Sequence, residues 1–488
     1  MALKNLHLPE PMMSNLNSTG VLIAALCFMV ILNQACASAE VTSAEQEPDT
    51  AIVEEGEIEE SPLTVEFEPA YLDSLFDELG YADEPGLVAA VYEQGEMIYQ
   101  HAQGFGNLDH EIALTESSRF YMASLSKQVT AAAAGVLIHR DSLRMEDEVA
   151  DYFEDWPDYA AGVQVQHLIY HTSGLPELYD LINVSSHRVS DPLDIEDYLE
   201  LIFKAEELNH DPGEEFNYTN SGYTVLAALI EKISGQSLDD FASEALFDPL
   251  GMGATHFHTN WVDLIPNRAL SYEPVGNGFR QTYMNTFQGY GPGGLYSTLT
   301  DWQKWEQFRV DEDPLGKGSE FHELLTTSGT TNDGEEVDYG FGLRLNEWKG
   351  QQVFEHTGSF MGFRHSFRHF PEYGLTVLVL GNRGDLDREE LTEKMAEHLL
   401  NAELKAWMQP YTGEFHNDEL DVIYSFTTKN GRLYLDRPQT EEEAVNFEET
   451  DKWSVGSWDI VFLDENGRKD RFKLSTGRTR DVEFIRRD

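Results

Sequence analysis

Apolar and polar positions recur along this chain with periods that change from segment to segment, and the changes mark out its elements. From Pro69 to Leu79 apolar residues recur three and four apart, which predicts a helix. Gly86 to Tyr92 and Glu96 to His101 are strand-like runs separated by Glu93-Gln94-Gly95, which predicts a hairpin. Ala131 to Ile138 is small, apolar and helix-favouring. Much later, Val353 to Glu355, Phe363 to Phe370 and Leu375 to Leu380 predict adjacent strands, with Pro371 to Gly374 as the turn between the last two. Asp387 to Lys405 predicts a closing helix. Strands thus stand at both ends of residues 66–405, with mostly helices and loops between them. The pattern is that of an α/β (α+β) domain whose sheet joins both ends of the region.

From Tyr411 the texture changes. Asn430-Gly431 and Asn466-Gly467 are two-residue hairpin signals, Thr476-Gly477 is a weaker one, and flanking segments such as Arg471 to Leu474 and Val482 to Ile485 alternate. Residues 406–488 therefore predict a small antiparallel β domain. Its last part is locally basic, through Arg468, Lys469, Arg471, Lys473, Arg478, Arg480, Arg486 and Arg487. These residues form either an outward strand face that offsets nearby carboxylates or a docking face against the acidic main domain.

Charge and cysteine content change the picture at the N-terminus and at the surface. The 488 residues hold 88 Asp and Glu against 33 Lys and Arg, a formal net charge of -55. That excess argues against a nucleic-acid partner, whose phosphates need clustered cations, and against an anionic membrane surface. It serves solubility, or adaptation to a salty medium in which screening weakens self-repulsion. The two cysteines are Cys27 and Cys36. Val21 to Leu32 is an unbroken apolar run with the length of a signal-peptide core, short for a membrane span, and Ala37-Ser38-Ala39 follows as a small-residue cleavage site. Residues 1–39 therefore predict a signal peptide. The mature protein is then periplasmic or secreted, has no cysteine or disulfide, and needs no membrane insertion. A lipidated Cys36 or an uncleaved anchor is the alternative, because Lys4 is the only Lys or Arg ahead of the apolar run. Residues 40–65 carry many Glu and no Lys or Arg, which predicts an acidic disordered linker.

Three short patterns carry chemistry. Ser124-Leu125-Ser126-Lys127 lies just before the helical run Gln128 to His139, and residues three apart on a helix share a side. A serine hydroxyl needs a base, and a lysine that is partly desolvated near other cations can be that base. The alternative is an ordinary helix start, with Ser124 as a cap and Lys127 solvated. Tyr218-Thr219-Asn220 follows the turn Asp211-Pro212-Gly213 and precedes the helical stretch Tyr223 to Ser234. A tyrosine beside a lysine ammonium can be held as phenolate, a second candidate base. Asn220 offers a donor and an acceptor for fixing Lys127 or a substrate amide. A buried aromatic with a turn asparagine is the alternative reading. His356-Thr357-Gly358-Ser359 follows a strand, and a glycine at a strand edge lets a substrate backbone approach closely. The N–H groups of Ser359 and Ser124 are candidate oxyanion donors.

In this order the three patterns resemble the motif set of the serine β-lactamase and penicillin-binding-protein superfamily: an S-x-x-K serine, a Y-x-N element, and an H-T-G strand where many members carry K-T-G. The resemblance narrows to the branch containing class C β-lactamases, certain D,D-carboxypeptidases, D-aminopeptidases and β-lactamase-like esterases. His167 to Pro176, Phe216 to Tyr223, Leu246 to Met252 and Gly293 to Thr298 belong to it, and it spans about residues 66–402. It implies a β-lactamase-like domain, with a central antiparallel sheet flanked by helices and a mostly helical subdomain. A lipocalin-like, β-barrel-like domain follows. It also implies that Ser124 is the acylated nucleophile and that Lys127 and Tyr218 share the acid and base work. Asn220 would hold the network and a substrate amide, beside the edge of His356, Thr357, Gly358 and Ser359.

His356 stands where many relatives carry lysine. A neutral imidazole, with an ordinary pKa of about 6.5, attracts a substrate carboxylate less than an ammonium does. That favours an esterase or peptidase over a β-lactamase and leaves a D,D-carboxypeptidase open. Arg364 is a candidate for the missing cation, with a plain surface charge as the alternative.

His171 is read as a loop-packing residue. His256 with His258 and His365 with His369 have spacings that suggest a metal, but same-face strand residues four apart lie roughly 13 Å from each other. The closer pair has no third ligand nearby in sequence. The expectation is an exported serine hydrolase with no metal and no cofactor, cleaving a small-molecule ester, amide or peptide through an acyl-enzyme on Ser124. A β-lactamase or D,D-carboxypeptidase acting on cell-wall-type substrates is the alternative. A non-catalytic binding or structural protein on the same scaffold is the second alternative. The pattern leaves the oligomeric state open.

Overall fold

The computed structural model describes residues 68–487, apart from 190, 283–288, 312 and 465–468. The signal peptide, the acidic linker, both cysteines, Arg468 and the Asn466-Gly467 turn lie outside the described residues. The first element is helix α1 (Pro69–Asp77), which opens on a proline whose missing N–H costs nothing in a first turn. The expected hairpin follows as β1 (Leu87–Glu93) and β2 (Glu96–Gln103). The middle of the chain supplies α2 (Ser126–His139), α3 (Leu178–Val184), α4 (Ile195–Phe203), α5 (Asn220–Ser234) and α6 (Leu299–Val310). The sheet is completed by β3 (Arg344–Trp348), β4 (Gln351–Phe360), β5 (Phe363–Phe370) and β6 (Leu375–Gly381).

These strands form one antiparallel sheet in the order β3-β4-β5-β6-β1-β2. The late strand β6 lies against the early strand β1, with Val88 opposite Leu380, so the sheet joins both ends of the region as the pattern predicts. The edge strand β3 is an addition that the sequence pattern did not mark. Alternation along β1 divides the core. Leu87, Ala89 and Val91 pack with Leu72, Phe76, Leu391 and Met395 of the helices on one face. Val88, Ala90 and Tyr92 join α2 and α6 on the other. Because both faces are covered, β1 reads as a continuous apolar run.

The closing helix is two helices, α7 (Arg388–Leu399) and α8 (Asn401–Met408). Leu400 leaves the helical region (φ -100°, ψ 23°), which lets the Asn401 side chain accept the N–H of Gly431 at 2.7 Å. A closed eight-stranded antiparallel barrel follows: β7 (Gly413–Asn417), β8 (Val422–Lys429), β9 (Arg432–Asp436), β10 (Glu443–Glu449), β11 (Lys452–Val455), β12 (Trp458–Asp464), β13 (Lys469–Ser475) and β14 (Val482–Arg486). Asn430 and Gly431, both at positive φ, make the β8–β9 turn that their sequence announces. The barrel interior is filled by Phe415, Phe426, Trp453, Phe462, Phe472 and Phe484. Its hydrophobic core is continuous with the α1 and α7 face of the sheet, the face away from α2.

The basic residues of the tail serve mainly the barrel. Lys469 pairs with Asp451 at 2.6 Å, Arg471 with Glu483 at 3.0 Å, and Arg486 donates to the carbonyls of Pro410 and Thr412. The ionic link to the main domain comes from elsewhere. Arg432 meets the buried Glu397 of α7, which also holds Lys349 at 2.6 Å.

Candidate active site

Ser124 sits on a single 3-10 turn, Ala123–Leu125, that runs straight into α2. The turn is pinned from three sides. Leu125 is fully buried, the Met122 N–H donates to the Leu295 carbonyl at 2.8 Å, and the Ser126 hydroxyl donates to the Ala123 carbonyl at 2.6 Å. Ala123 itself is held at φ 49°, a left-handed conformation that costs a non-glycine residue of order 1–3 kcal/mol. Burial of its neighbours maintains that strain and fixes the serine. The ordinary helix-start reading does not hold, because Leu125 occupies the cap position and no side chain caps the helix.

Lys127 is fully buried. Its Nζ lies 3.4 Å from Ser124 Oγ, 2.8 Å from Asn220 Oδ1 and 3.1 Å from the Pro292 carbonyl. The rings of Tyr218 and Tyr223 pack against it, at 4.8 Å and 5.5 Å from Nζ to the ring centres. Burial among these neutral groups lowers its pKa to about 7, with the Glu177 carboxylate opposing the shift. At neutral pH much of Lys127 is therefore free amine, with a lone pair beside the serine hydroxyl.

Tyr218 and Asn220 reach the same point from the start of α5, where Thr219 is the N-cap and accepts the Ser221 N–H at 3.2 Å. Burial pushes the Tyr218 hydroxyl up, and its hydrogen bond with Ser124 and the charge of Arg344 only partly offset this. The expected phenolate is thus the costly form, because burial disfavours its charge and the Glu177 carboxylate adds to that. Beneath Tyr218 lies the fully buried His171, at φ 58°. Its ring centre is 4.3 Å from that of Tyr218, and its Nδ1 accepts the Thr219 N–H at 3.2 Å. The loop-packing role expected for His171 thus places it directly under Tyr218.

The third motif forms the opposite wall. β3 pairs with β4 only as far as Glu355, so residues 356–360 run on with one edge free of β3. Gly358 is required there, because a Cβ would come within 2.9 Å of the Met122 carbonyl oxygen, and the strand could not approach the serine turn. His356 is buried and hydrogen-bonded on both nitrogens, to the Thr357 carbonyl at 2.7 Å and the Tyr339 hydroxyl at 3.1 Å. Burial lowers its pKa to about 3, so it is a neutral imidazole. The other paired histidines have settled partners: His365 Nε2 with the Tyr121 carbonyl at 2.8 Å, and His369 Nδ1 with the Thr376 hydroxyl at 2.8 Å. His256 stacks on Tyr296, and His258 meets the same ring edge-on.

These walls enclose a cleft of about 710 Å³. Ser124, Tyr218, Asn220, His356, Thr357, Ser359 and Arg364 line it, whereas Lys127 and Gly358 stand behind the surface. No residue of the barrel does, so the barrel covers the far face of the sheet. Among the described residues, two guanidinium groups line the cleft and no carboxylate does. Arg364 donates to the Met361 carbonyl at 2.6 Å and meets Glu273 at 3.5 Å. Arg344 has no ion pair among the described residues and lies over the rings of Phe216 and Tyr218.

Sequence reasoning missed three participants. Glu177 follows directly on the His167 to Pro176 phrase, and its carboxylate accepts both the backbone N–H of Asn220 at 2.6 Å and its Nδ2 at 2.7 Å. Arg344 is a lone cation after the acidic stretch Asp333 to Asp338, which was the available signal. Tyr339 carried none.

The family model for beta-lactamase matches residues 72–402. A penicillin-binding protein of Bacillus subtilis (strain 168) is 30% identical over 407 residues, 75% of this chain and 87% of that protein. A D-aminopeptidase of Brucella ovis is 29% identical over 309 residues, 61% of this chain and 56% of that enzyme. Among solved structures, the octameric penicillin-binding protein homologue from Pyrococcus abyssi superposes with a TM-score of 0.59 at 22% identity, covering 86% of this chain and 99% of its own. The D-amino acid amidase of Ochrobactrum anthropi SV3 gives 0.57 at 20% identity, covering 69% and 100%. At that identity the structural likeness speaks for the fold. The family match and the motif set assembled around Ser124 agree: this chain belongs to the beta-lactamase family and is a serine hydrolase.

Proposed function

We propose that the enzyme cleaves an amide or peptide bond in a substrate that carries a free carboxylate, through an acyl-enzyme on Ser124. Neutral Lys127 takes the Ser124 proton as Oγ bonds to the substrate carbonyl carbon. The oxyanion that forms is held by the N–H groups of Ser124 and Ser359. The proton on Lys127 Nζ then passes, through the neutral hydroxyl of Tyr218, to the leaving nitrogen as the C–N bond breaks. Water enters, gives a proton back along the same path, and attacks the ester. The acid departs and the Ser124 hydroxyl is restored. Asn220 Oδ1 holds the lysine throughout, and Thr357 to Ser359 offer a strand edge to the substrate backbone.

The observation that carries the substrate class is the charge of the cleft. In a chain of net charge -55, the lining among the described residues holds Arg344 and Arg364 and no acidic residue. Neutral His356 adds no charge, so the carboxylate falls to Arg344, with Arg364 as second cation. The names of the relatives, a penicillin-binding protein and a D-aminopeptidase, suggest D-alanyl peptides as the first substrates to try. A substrate bearing a free ammonium, as the second name implies, finds no acceptor carboxylate in the lining. The test compares two D-alanyl peptides that differ only in ending as carboxylate or carboxamide, with nitrophenyl esters and nitrocefin alongside. A charge-assisted hydrogen bond of about 1.5–3 kcal/mol gives the carboxylate a roughly 10- to 150-fold advantage in kcat/KM. Equal rates for the pair, or faster cleavage of the carboxamide, would sink the proposal. The apolar run Val21 to Leu32 and the Ala37-Ser38-Ala39 site support placing this reaction outside the cytoplasm. N-terminal sequencing that finds Met1 retained on the exported protein would contradict cleavage.

A further inference from the structure

Glu177 lies outside the cleft lining, and none of the three motifs contains it. Its contacts with Lys127 run through Asn220. Each carboxylate oxygen takes one proton from that residue: Oε2 from the backbone N–H at 2.6 Å and Oε1 from Nδ2 at 2.7 Å. Glu177 is also the N-cap of α3, but that bond, from the Tyr179 N–H, is long at 3.4 Å. The carboxylate is committed to Asn220.

That commitment decides which way the Asn220 amide faces. An asparagine amide has nearly the same shape in its two orientations, and its neighbours choose between them. With Nδ2 against Glu177, Oδ1 must face Lys127 Nζ, at 2.8 Å. In the flipped amide, Oδ1 would meet the Glu177 carboxylate, two acceptors in contact. Nδ2 would then point at the lysine and could donate to the lone pair that has to receive the serine proton. We propose that Glu177 is a positioning residue: it locks the Asn220 amide with its oxygen toward Lys127, which keeps the lysine lone pair aimed at Ser124. This inference rests on the acyl-serine reading above.

The surroundings of Lys127 make the carboxylate's charge count as well. Ser124 faces it from the preceding turn, Tyr218, Asn220 and Tyr223 from the start of α5, the Pro292 carbonyl from the loop before Leu295, His171 from below and His356 from β4. Burial keeps both histidines neutral. Arg344 acts on the two histidines and on Tyr218. Glu177 is the one ionic group among the described residues whose charge registers on Lys127, and it favours the protonated lysine.

The test is the rate of Ser124 labelling by a fluorophosphonate probe, measured against pH for the full chain and for Glu177→Gln and Glu177→Asp. The probe needs no substrate carboxylate, so the result is independent of the substrate class proposed above. Absence of labelling in the wild type, or its persistence in Ser124→Ala, would count against the acyl-serine reading itself. With wild-type labelling secured, Glu177→Gln is expected to lower the plateau rate about 10- to 100-fold and to move the midpoint of the pH profile to lower pH. Probe affinity is expected to be retained, because Glu177 does not line the cleft. Glu177→Asp, which keeps the anion, is expected to restore the midpoint. A Gln variant that folds, by circular dichroism, and keeps the wild-type plateau and midpoint overturns the inference. So does a lower plateau with an unmoved midpoint, the mark of a merely structural residue.

Discussion

The lysine amine of Lys127 sets a quantitative expectation for how acylation responds to pH. Its pKa falls from an ordinary 10.5 to about 7 because Nζ is buried among a hydroxyl, an amide, a carbonyl and two aromatic rings. At about 1.4 kcal/mol per pKa unit, the folded protein disfavours the ammonium by roughly 5 kcal/mol. Acylation by the free amine should therefore rise tenfold per pH unit below about 7 and level off above it. Two units below the midpoint about one lysine in a hundred is deprotonated, so labelling of Ser124 at pH 5 should run about 100-fold slower than on the plateau. The assay is fluorophosphonate labelling at short times between pH 5 and pH 10. On the proposed relay role, Tyr218→Phe should lower cleavage of an amide substrate by about 10²- to 10⁴-fold without moving the midpoint of the labelling curve, which the Lys127 amine sets. A flat profile from pH 5 to pH 8, or a midpoint near that of solvated lysine, would refute the reasoning. The sign of the linked stability is also fixed. The unfolded chain keeps this lysine protonated up to about 10.5 and the folded chain releases the proton at about 7. Its contribution to stability is therefore lowest below pH 7 and rises between these two values. The advantage of Lys127→Met over wild type in urea unfolding should shrink across that window.

Three further outcomes follow from single contacts. Arg344→Met should erase the preference for the carboxylate peptide over its carboxamide while slowing carboxamide cleavage by no more than about tenfold, because the guanidinium reaches the chemistry only through its charge over the Tyr218 ring; steady-state kinetics on the pair check it. Gly358→Ala should cut activity at least tenfold with little change in melting temperature, since its Cβ would sit 2.9 Å from the Met122 carbonyl oxygen and push the strand away from the serine turn. Lys349→Met leaves the buried Glu397 with Arg432 as its only cation and should destabilise the protein by about 3 kcal/mol in urea unfolding. If the stability change is below about 0.5 kcal/mol, the buried Lys349–Glu397 pair carries no weight.

Much of this enzyme was legible in its sequence, for physical reasons that differ by level. β1, β4, β5 and β6 were readable because each is covered on both sides or closes a tight turn, and apolar runs record burial. Ser124, Lys127, Tyr218, Asn220 and His356 were readable because their side-chain types are scarce in useful combinations and fall in a fixed order. β3 was not readable: Arg344 to Trp348 is an edge strand with one neighbour, so its composition is under little pressure to be apolar. The break at Leu400 was hidden because Leu400, Leu404 and Met408 continue a helical spacing across it. Glu177 was invisible for a different reason. In a chain with 88 acidic residues, one more glutamate carries almost no information until its partner is known.

The same acidic excess gives the cleft its meaning. If charge were scattered without regard to function, a lining of sixteen residues in this chain would be expected to hold more acidic groups than basic ones. Among the described residues it holds Arg344 and Arg364 and no carboxylate. Glu177 lies outside the lining, with both its oxygens taken by Asn220, and its charge bears on Lys127 behind the cleft surface. The surroundings repel anions at long range, yet screening limits that repulsion to about 8 Å at physiological ionic strength. Inside that distance Arg344, which has no ion pair among the described residues, faces a substrate across low-dielectric walls, where an unpaired charge counts most, while Arg364 is partly balanced by Glu273. An anionic substrate therefore meets a barrier that salt removes and a site that salt affects less. For the carboxylate peptide, added NaCl should raise kcat/KM at first, through faster encounter, while the preference over the carboxamide stays within about twofold. A preference that collapses as NaCl is added would place the discriminating charge on the open surface and not in the cleft.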